Sequence, residues 1–163
     1  MNIRKLIPED ADQFYELKRK GLQTDPNAFL ATAEEMNSKT PEEIRAWIER
    51  DYIFGAFIDE KLVGTIHLIE QQPKKFQHIG ILGGMYVDPE YRGRGIARQL
   101  LQKMLEHIKN ERNFYSLQLK VVTTNMGALK LYESFGFFRW AHEQKALYYN
   151  GKYTDQYHYM LVL

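Results

Sequence analysis

The chain has 163 residues, with 22 Lys+Arg against 21 Asp+Glu and a net charge of +1. This length suits one domain, residues 1–163, with enough core to fold without a metal or a disulfide. There is no cysteine, which excludes a disulfide framework, a thiolate metal site and a cysteine nucleophile, and which agrees with a cytoplasmic setting. The near-zero charge argues against a nucleic-acid partner. The start, Met1-Asn2-Ile3-Arg4-Lys5-Leu6, lacks the apolar run of a signal peptide, and no window is long and apolar enough to suggest a membrane partner.

Asn2 to Leu6 reads as a short strand, and Pro8-Glu9-Asp10 opens a helix that runs to Thr24 with Phe14, Leu17 and Leu22 on its apolar side. Asp25-Pro26-Asn27-Ala28-Phe29 reads as a turn. Thr40-Pro41-Glu42-Glu43 starts a second helix with a Thr cap, a first-turn proline and a Glu three residues after the cap. Strands follow at Tyr52–Ile58, Leu62–Ile69 and His78–Val87, the first two joined by a turn at Asp59-Glu60-Lys61. Ile96, Ala97, Leu100, Leu101, Met104, Leu105 and Ile108 give the clearest helix of the chain one apolar stripe. Leu117–Val122 is a strand, and Asn125–Phe135 is a short helix ended by Gly136. Two last strands are expected around Phe137–Ala141 and Tyr157–Leu163, and Tyr148–Tyr159 reads as a hairpin turning at Asn150-Gly151. The strand–helix–strand run from Gly80 to Val122 predicts a parallel pair with a right-handed crossover. The expected result is an α/β fold, a mixed sheet covered by helices.

The chemistry concentrates in Met85-Tyr86-Val87-Asp88-Pro89-Glu90-Tyr91-Arg92-Gly93-Arg94-Gly95-Ile96-Ala97, which joins a strand to the start of the amphipathic helix. Gly93 and Gly95 remove the side chains that would keep a ligand from the main chain. The unpaired N–H groups of the first helical turn point outward with the positive end of the helix dipole. Arg92 and Arg94 add charge, within a stretch in which Arg98, Lys103 and Lys109 face a single acid, Glu106. This composition suits a phosphate or a pyrophosphate on a small ligand. The common nucleotide loops, Gly-x-x-x-x-Gly-Lys-Ser/Thr and Gly-x-Gly-x-x-Gly, do not fit.

This stretch resembles the acetyl-CoA loop of the GNAT superfamily of N-acetyltransferases, Arg/Gln-x-x-Gly-x-Gly/Ala, through Arg92, Gly95 and Ala97. Asn125-Met126-Gly127-Ala128-Leu129-Lys130-Leu131-Tyr132-Glu133-Ser134-Phe135-Gly136-Phe137 resembles the second half of the same signature, Asn-x-x-Ala-x-x-x-Tyr-x-x-x-Gly-Phe. The resemblance implies the acyl-CoA N-acyltransferase fold: a mostly antiparallel sheet with a central, splayed parallel pair, flanked by helices. It implies acetyl-CoA as co-substrate, with backbone groups of Met85, Tyr86 and Val87 along the pantetheine arm. The amides of Arg92, Gly93, Arg94, Gly95, Ile96 and Ala97 would take the pyrophosphate. Gly83-Gly84 reads as the bulge that helps the strands part. Asn125 is a natural helix cap, to which the resemblance adds a bond to the cofactor. Tyr132 would give a proton to the departing thiolate.

The implied reaction is direct acetyl transfer to a primary amine of a small molecule or peptide. The ammonium must first lose a proton, and the strand His78–Val87 lacks the carboxylate that relatives often place there. Glu34 and Glu35 are the candidates on the substrate side, with Glu70, His67 and His78 behind them. The segment Phe29–Glu35 resembles one found in bacterial members of unassigned substrate, and the aromatic C-terminal strands allow a homodimer. Histidines without paired spacing suggest no metal. The alternatives are a non-catalytic acyl-CoA sensor or regulatory module of the same fold and, beyond it, a different nucleotide-binding domain.

Overall fold

A computed structural model describes residues 1–26, 29 and 31–163. Of the turn expected at Asp25–Phe29, Asn27 and Ala28 lie outside the described residues, as does Leu30 of the segment that follows. The described chain divides into two compact units, Met1–Ile69 with Leu82–Arg112, and Glu70–Ile81 with Asn113–Leu163.

The first unit opens with β1 (Asn2–Lys5), a 3-10 turn at Pro8–Asp10 and α1 (Ala11–Thr24). Asp10 joins strand to helix: its carboxylate accepts from the Ile7 amide at 2.9 Å and from both terminal nitrogens of Arg4 at 2.6 and 2.7 Å. These bonds hold its pKa below the usual carboxylate range against the opposing effect of burial. A short α2 (Ala33–Asn37) follows, which the hydrophobic pattern did not show. Its start is a capping box in which Thr32 Oγ1 accepts from the Glu35 amide and Glu35 accepts from the Thr32 amide. Next come α3 (Pro41–Arg50), with the expected Thr40 cap and first-turn proline, β2 (Tyr52–Ile58) and β3 (Lys61–Glu70). β1 pairs antiparallel with β2, and β2 with β3, while β4 (Ile79–Val87) lies beside β3. Phe14, Leu17, Ile44, Ile48, Ile53 and Phe57 fill the core between α1, α3 and β2. α4 (Ile96–Glu111) buries Ile96, Leu100, Leu101, Met104 and Ile108, the stripe read from the sequence.

The second unit holds the first residues of β4, then β5 (Ser116–Val122), α5 (Met126–Glu133), β6 (Phe138–Tyr149) and β7 (Lys152–Val162). Ile79, Gly80 and Ile81 pair in parallel with Ser116, Leu117 and Gln118, and β5 pairs antiparallel with β7. β6 and β7 form one long hairpin that turns at Asn150-Gly151, so the last two strands are much longer than their apolar ends suggested. Among the described residues, seven strands with one parallel pair, together with the helices, make the mixed α/β fold that the resemblance implied. Among the described residues no helix is long and apolar enough to cross a membrane.

Candidate active site

The strand-to-helix connection of the first unit is built by polar side chains that fix the chain before the glycines. Asp88 accepts from the Glu90 amide at 3.1 Å and starts a 3-10 turn at Pro89–Tyr91. Lys20 of α1 reaches both Asp88 oxygens at 2.8 Å and Glu90 at 2.8 Å, which holds Asp88 ionised and below its ordinary pKa. Arg92 Nε donates to the Val87 carbonyl at 2.9 Å, and its Nη2 to Asp25 at 2.6 Å. The Arg92 guanidinium is therefore spent on holding the turn, whereas the sequence suggested charge offered to a ligand. Arg94 lies 5.2 Å from the Tyr91 ring centroid and reaches the Glu90 carbonyl at 3.5 Å.

Gly93 and Gly95 take φ of +76° and +74°, a region costly for residues with a Cβ. A Cβ would meet nothing within 4 Å at Gly93 and only Gln99 at 3.9 Å at Gly95, so the main chain here is bare. Gly95 caps α4 without a side-chain hydrogen bond, and no acid stands in the first turn. The first intrahelical bond, Gln99 N–H to Gly95 carbonyl, leaves the amides of Ile96 and Ala97 facing out of the helix end. Uncapped amides at a positive helix end, beside exposed main chain, fit a diphosphate. In β4, Met85 is half-buried and Tyr86 and Val87 are buried. The Tyr86 ring turns inward, its hydroxyl 3.0 Å from Thr24 Oγ1, and burial raises its pKa.

In the second unit Asn125 caps α5 by accepting from the Ala128 amide at 3.1 Å, as its position in the sequence required. Tyr132, two turns on, is 5% exposed, with its ring 5.7 Å from Phe137 in an edge-to-face arrangement. Burial pushes its pKa up, so the phenol keeps its proton throughout the neutral range.

The substrate-side candidates are dispersed. Glu34 and Glu35 are exposed on α2, and Glu35 is occupied as that helix's own cap, which lowers its pKa. Glu70 is exposed at the end of β3, and His78 is exposed just before β4, its carbonyl accepting from Tyr115 at 2.8 Å. His67 alone is buried, at 3% exposure. The sequence reading missed Lys18, which is 5% exposed. Its signal is a lysine at the i+4 position from Phe14 on the apolar face of α1, beside Leu17 and Leu22. Among the described residues no cluster of three or more His, Asp or Glu is placed to hold a metal ion.

Residues 12–137 match the Acetyltransferase (GNAT) family. This chain belongs to that family. An L-amino acid N-acetyltransferase of Escherichia coli strain K12, AaaT, is 31% identical over 103 residues, 63% of this chain and 63% of that protein. The chain thus matches less than two thirds of that curated relative's length. Among solved structures, the acetyltransferase of GNAT family from Streptococcus pneumoniae superposes with a TM-score of 0.90 at 26% identity, covering 99% of both chains. The structure of yncA from Salmonella typhimurium with its cofactor acetyl-CoA gives a TM-score of 0.87 at 18% identity, covering 100% of this chain and 94% of that one. The family and fold expected from the sequence are the ones matched.

The GNAT loop of this chain depends on Arg92 in a way that stability measurements read directly. Arg92→Ala removes a bond to a strand-end carbonyl, worth about 1 kcal/mol, and a half-exposed ion pair worth less than that. Urea unfolding is expected to show a loss of about 1–2 kcal/mol. Arg92→Lys should recover little of it, because an ammonium cannot serve the Val87 carbonyl and Asp25 at once.

Proposed function

We propose that this chain is an acetyl-CoA-dependent N-acetyltransferase that passes the acetyl group directly to a primary amine of a small molecule or peptide. The observation that carries this reading is the uncapped, glycine-bared start of α4 in a chain of the GNAT family. Residues 1–163 work as one acetyltransferase domain in the cytoplasm, without a nucleic-acid or membrane partner and without a metal. The exposed aromatics of the hairpin, Trp140, Tyr148 and Tyr153 among them, are the surface through which two copies would pair.

The amides from Arg92 to Ala97 hold the diphosphate, and Met85, Tyr86 and Val87 offer main-chain groups to the pantetheine arm as an added strand would. Asn125 caps α5 and bonds the carrier as well. Tyr132 acts as the acid: its phenol keeps its proton at working pH and delivers it to sulfur as the C–S bond breaks. Glu34 and Glu35 border the acceptor.

The test is amine-dependent release of free thiol from acetyl-CoA across a panel of amino acids, polyamines and peptide amines. Thiol release with at least one amine is the expected result. Tight CoA binding with silence on every amine would favour a sensor, a reading that the acetyltransferase relatives do not favour. Failure to bind CoA at millimolar concentration would overturn both.

A further inference from the structure

β4 carries no carboxylate, since Ile79–Val87 reads IGILGGMYV, and Glu35 is committed to its own helix. The acceptor's proton needs another destination. Inside the first unit, two nitrogen bases lie buried against the same ring. The Lys18 ammonium sits 5.5 Å from the Phe14 centroid and 4.9 Å from the Phe29 centroid, with no ion pair among the described residues. The His67 ring lies 5.6 Å from Phe14 and 5.7 Å from Trp47, and its buried Nε2 has no partner among the described residues. The same ring packs against Gly84, where β4 adopts φ +58° and a Cβ would come within 2.6 Å of it.

Buried polar atoms are nearly always hydrogen-bonded, and a buried cation is nearly always paired. Among the described residues His67 Nε2 is such an exception, and buried Lys18 lies against the same ring with no ion pair; next to the irregular turn of the strand proposed for the carrier, the two mark a functional arrangement. We propose that Lys18 is the general base of acetyl transfer, its uncharged amine taking a proton from the acceptor's ammonium. This rests on the acetyltransferase reading and deepens it. Lys18 Nζ accepts one proton from the R–NH3⁺ group and becomes an ammonium over the faces of Phe14 and Phe29. The freed lone pair attacks the thioester carbonyl, the C–N bond forms and the C–S bond breaks. The nitrogen's second proton passes to solvent, sulfur takes its proton from Tyr132, and Tyr132 regains one from solvent, so that with the proton Lys18 gives back one proton is released per acetyl group transferred. Lys18 then returns its proton to solvent.

The electrostatics agree with this geometry. Burial lowers the Lys18 amine to about 7, and burial with the Lys18 charge holds His67 well below its ordinary value. His67 is thus already neutral where Lys18 titrates, which is why the histidine adds nothing to the lysine's shift. The other titratable groups on the surrounding elements are engaged or distant. Tyr86 of β4 bonds Thr24, Asp51 after α3 accepts from Trp47, Glu35 of α2 caps its helix, Glu34 is exposed, and on α1 Glu16 pairs with Arg19 and Lys20 with Asp88. An acceptor ammonium that enters these surroundings is lowered by the same burial, so the proton transfer is close to balanced.

The test is the pH profile of kcat/KM for wild type and Lys18→Met, with the best acceptor of the amine panel. Wild type is expected to rise to an inflection near neutrality. Lys18→Met should fall by about 10²–10³-fold at pH about 7, then climb with unit slope and approach wild type as the acceptor's own free amine comes to dominate. A loss that is constant across pH, no loss, or a rise in KM limited to carboxylate-bearing acceptors would overturn the proposal. Folding is checked by melting. The lowered lysine makes the folded chain bind fewer protons than the unfolded one between about pH 7 and 10.5, so wild type loses stability as pH falls through that window. Lys18→Met should therefore melt at or above the wild-type temperature. An activity-independent readout is the 13C shift of the Lys18 ε-carbon in lysine-labelled protein. A midpoint near neutrality supports the proposal, and one above about 9 overturns it. Wild type inactive on every amine, with the midpoint still neutral, would sink the acetyltransferase reading and, with it, the lysine's role in the transfer.

Discussion

Tyr132→Phe is expected to lower kcat about 10²-fold while leaving the affinity for acetyl-CoA within about threefold. The change removes one oxygen and keeps the ring that packs edge-to-face on Phe137. Removing one oxygen while the packed ring stays in place should leave the melting temperature close to that of wild type. Activity thus falls while stability holds, a split that a purely structural tyrosine would not show. The raised pKa adds a second signature: wild-type kcat should show no alkaline fall up to about pH 10, since the phenol holds its proton beyond its ordinary value. Full turnover by Tyr132→Phe across pH 6 to 9 would remove the acid role.

Local rules made the start of α4 legible. Two glycines after a proline, ahead of an apolar stripe at helical spacing, constrain the backbone whatever lies around it, and the structure has both glycines at positive φ. The caps at Thr40 and Asn125 and the Asn150-Gly151 turn are local in the same sense. α2 was equally local, since Thr32 and Glu35 have capping-box spacing, but five residues are too few for an apolar period to show. β6 and β7 escaped full reading for a different reason. Their ladder shifts register between Arg139 and Ala141 and between Glu143 and Leu147, and Lys145 takes φ +52°, so alternation breaks in mid-strand.

Partners distant in sequence stayed hidden. The contact of Arg92 with Asp25 spans 67 positions and turns an apparent ligand-binding charge into a brace. The burial of Lys18 shows only once α1 is laid on a core that includes Phe14. His67 stands in a strand that is buried almost end to end, where a single polar residue carries no periodic signal. The features proposed to bear on the acceptor's proton are therefore tertiary, whereas those proposed to bear on the carrier's diphosphate are local. This is the division expected when a common carrier is held by main chain and a variable acceptor by side chains.

Gly84→Ala should destabilise the chain by about 2–5 kcal/mol, from two separable causes. The backbone at φ +58° costs an alanine about 1–2 kcal/mol relative to glycine. The added methyl would stand 2.6 to 2.8 Å from three atoms of the His67 ring, and that ring is confined by Phe14 and Trp47, so overpacking adds about 1–3 kcal/mol. A double-mutant cycle separates them. In a His67→Ala background the methyl meets no ring, so Gly84→Ala should cost only the backbone part, with a coupling energy of about 1–3 kcal/mol by urea unfolding. An uncoupled pair would mean that β4 shifts away from His67 on its own, and the close approach of that ring to the strand would then not be a fixed feature of the fold. A coupled pair fixes the imidazole against β4 at the turn where the strand leaves regular geometry, the position from which Lys18 and His67 would face an incoming amine.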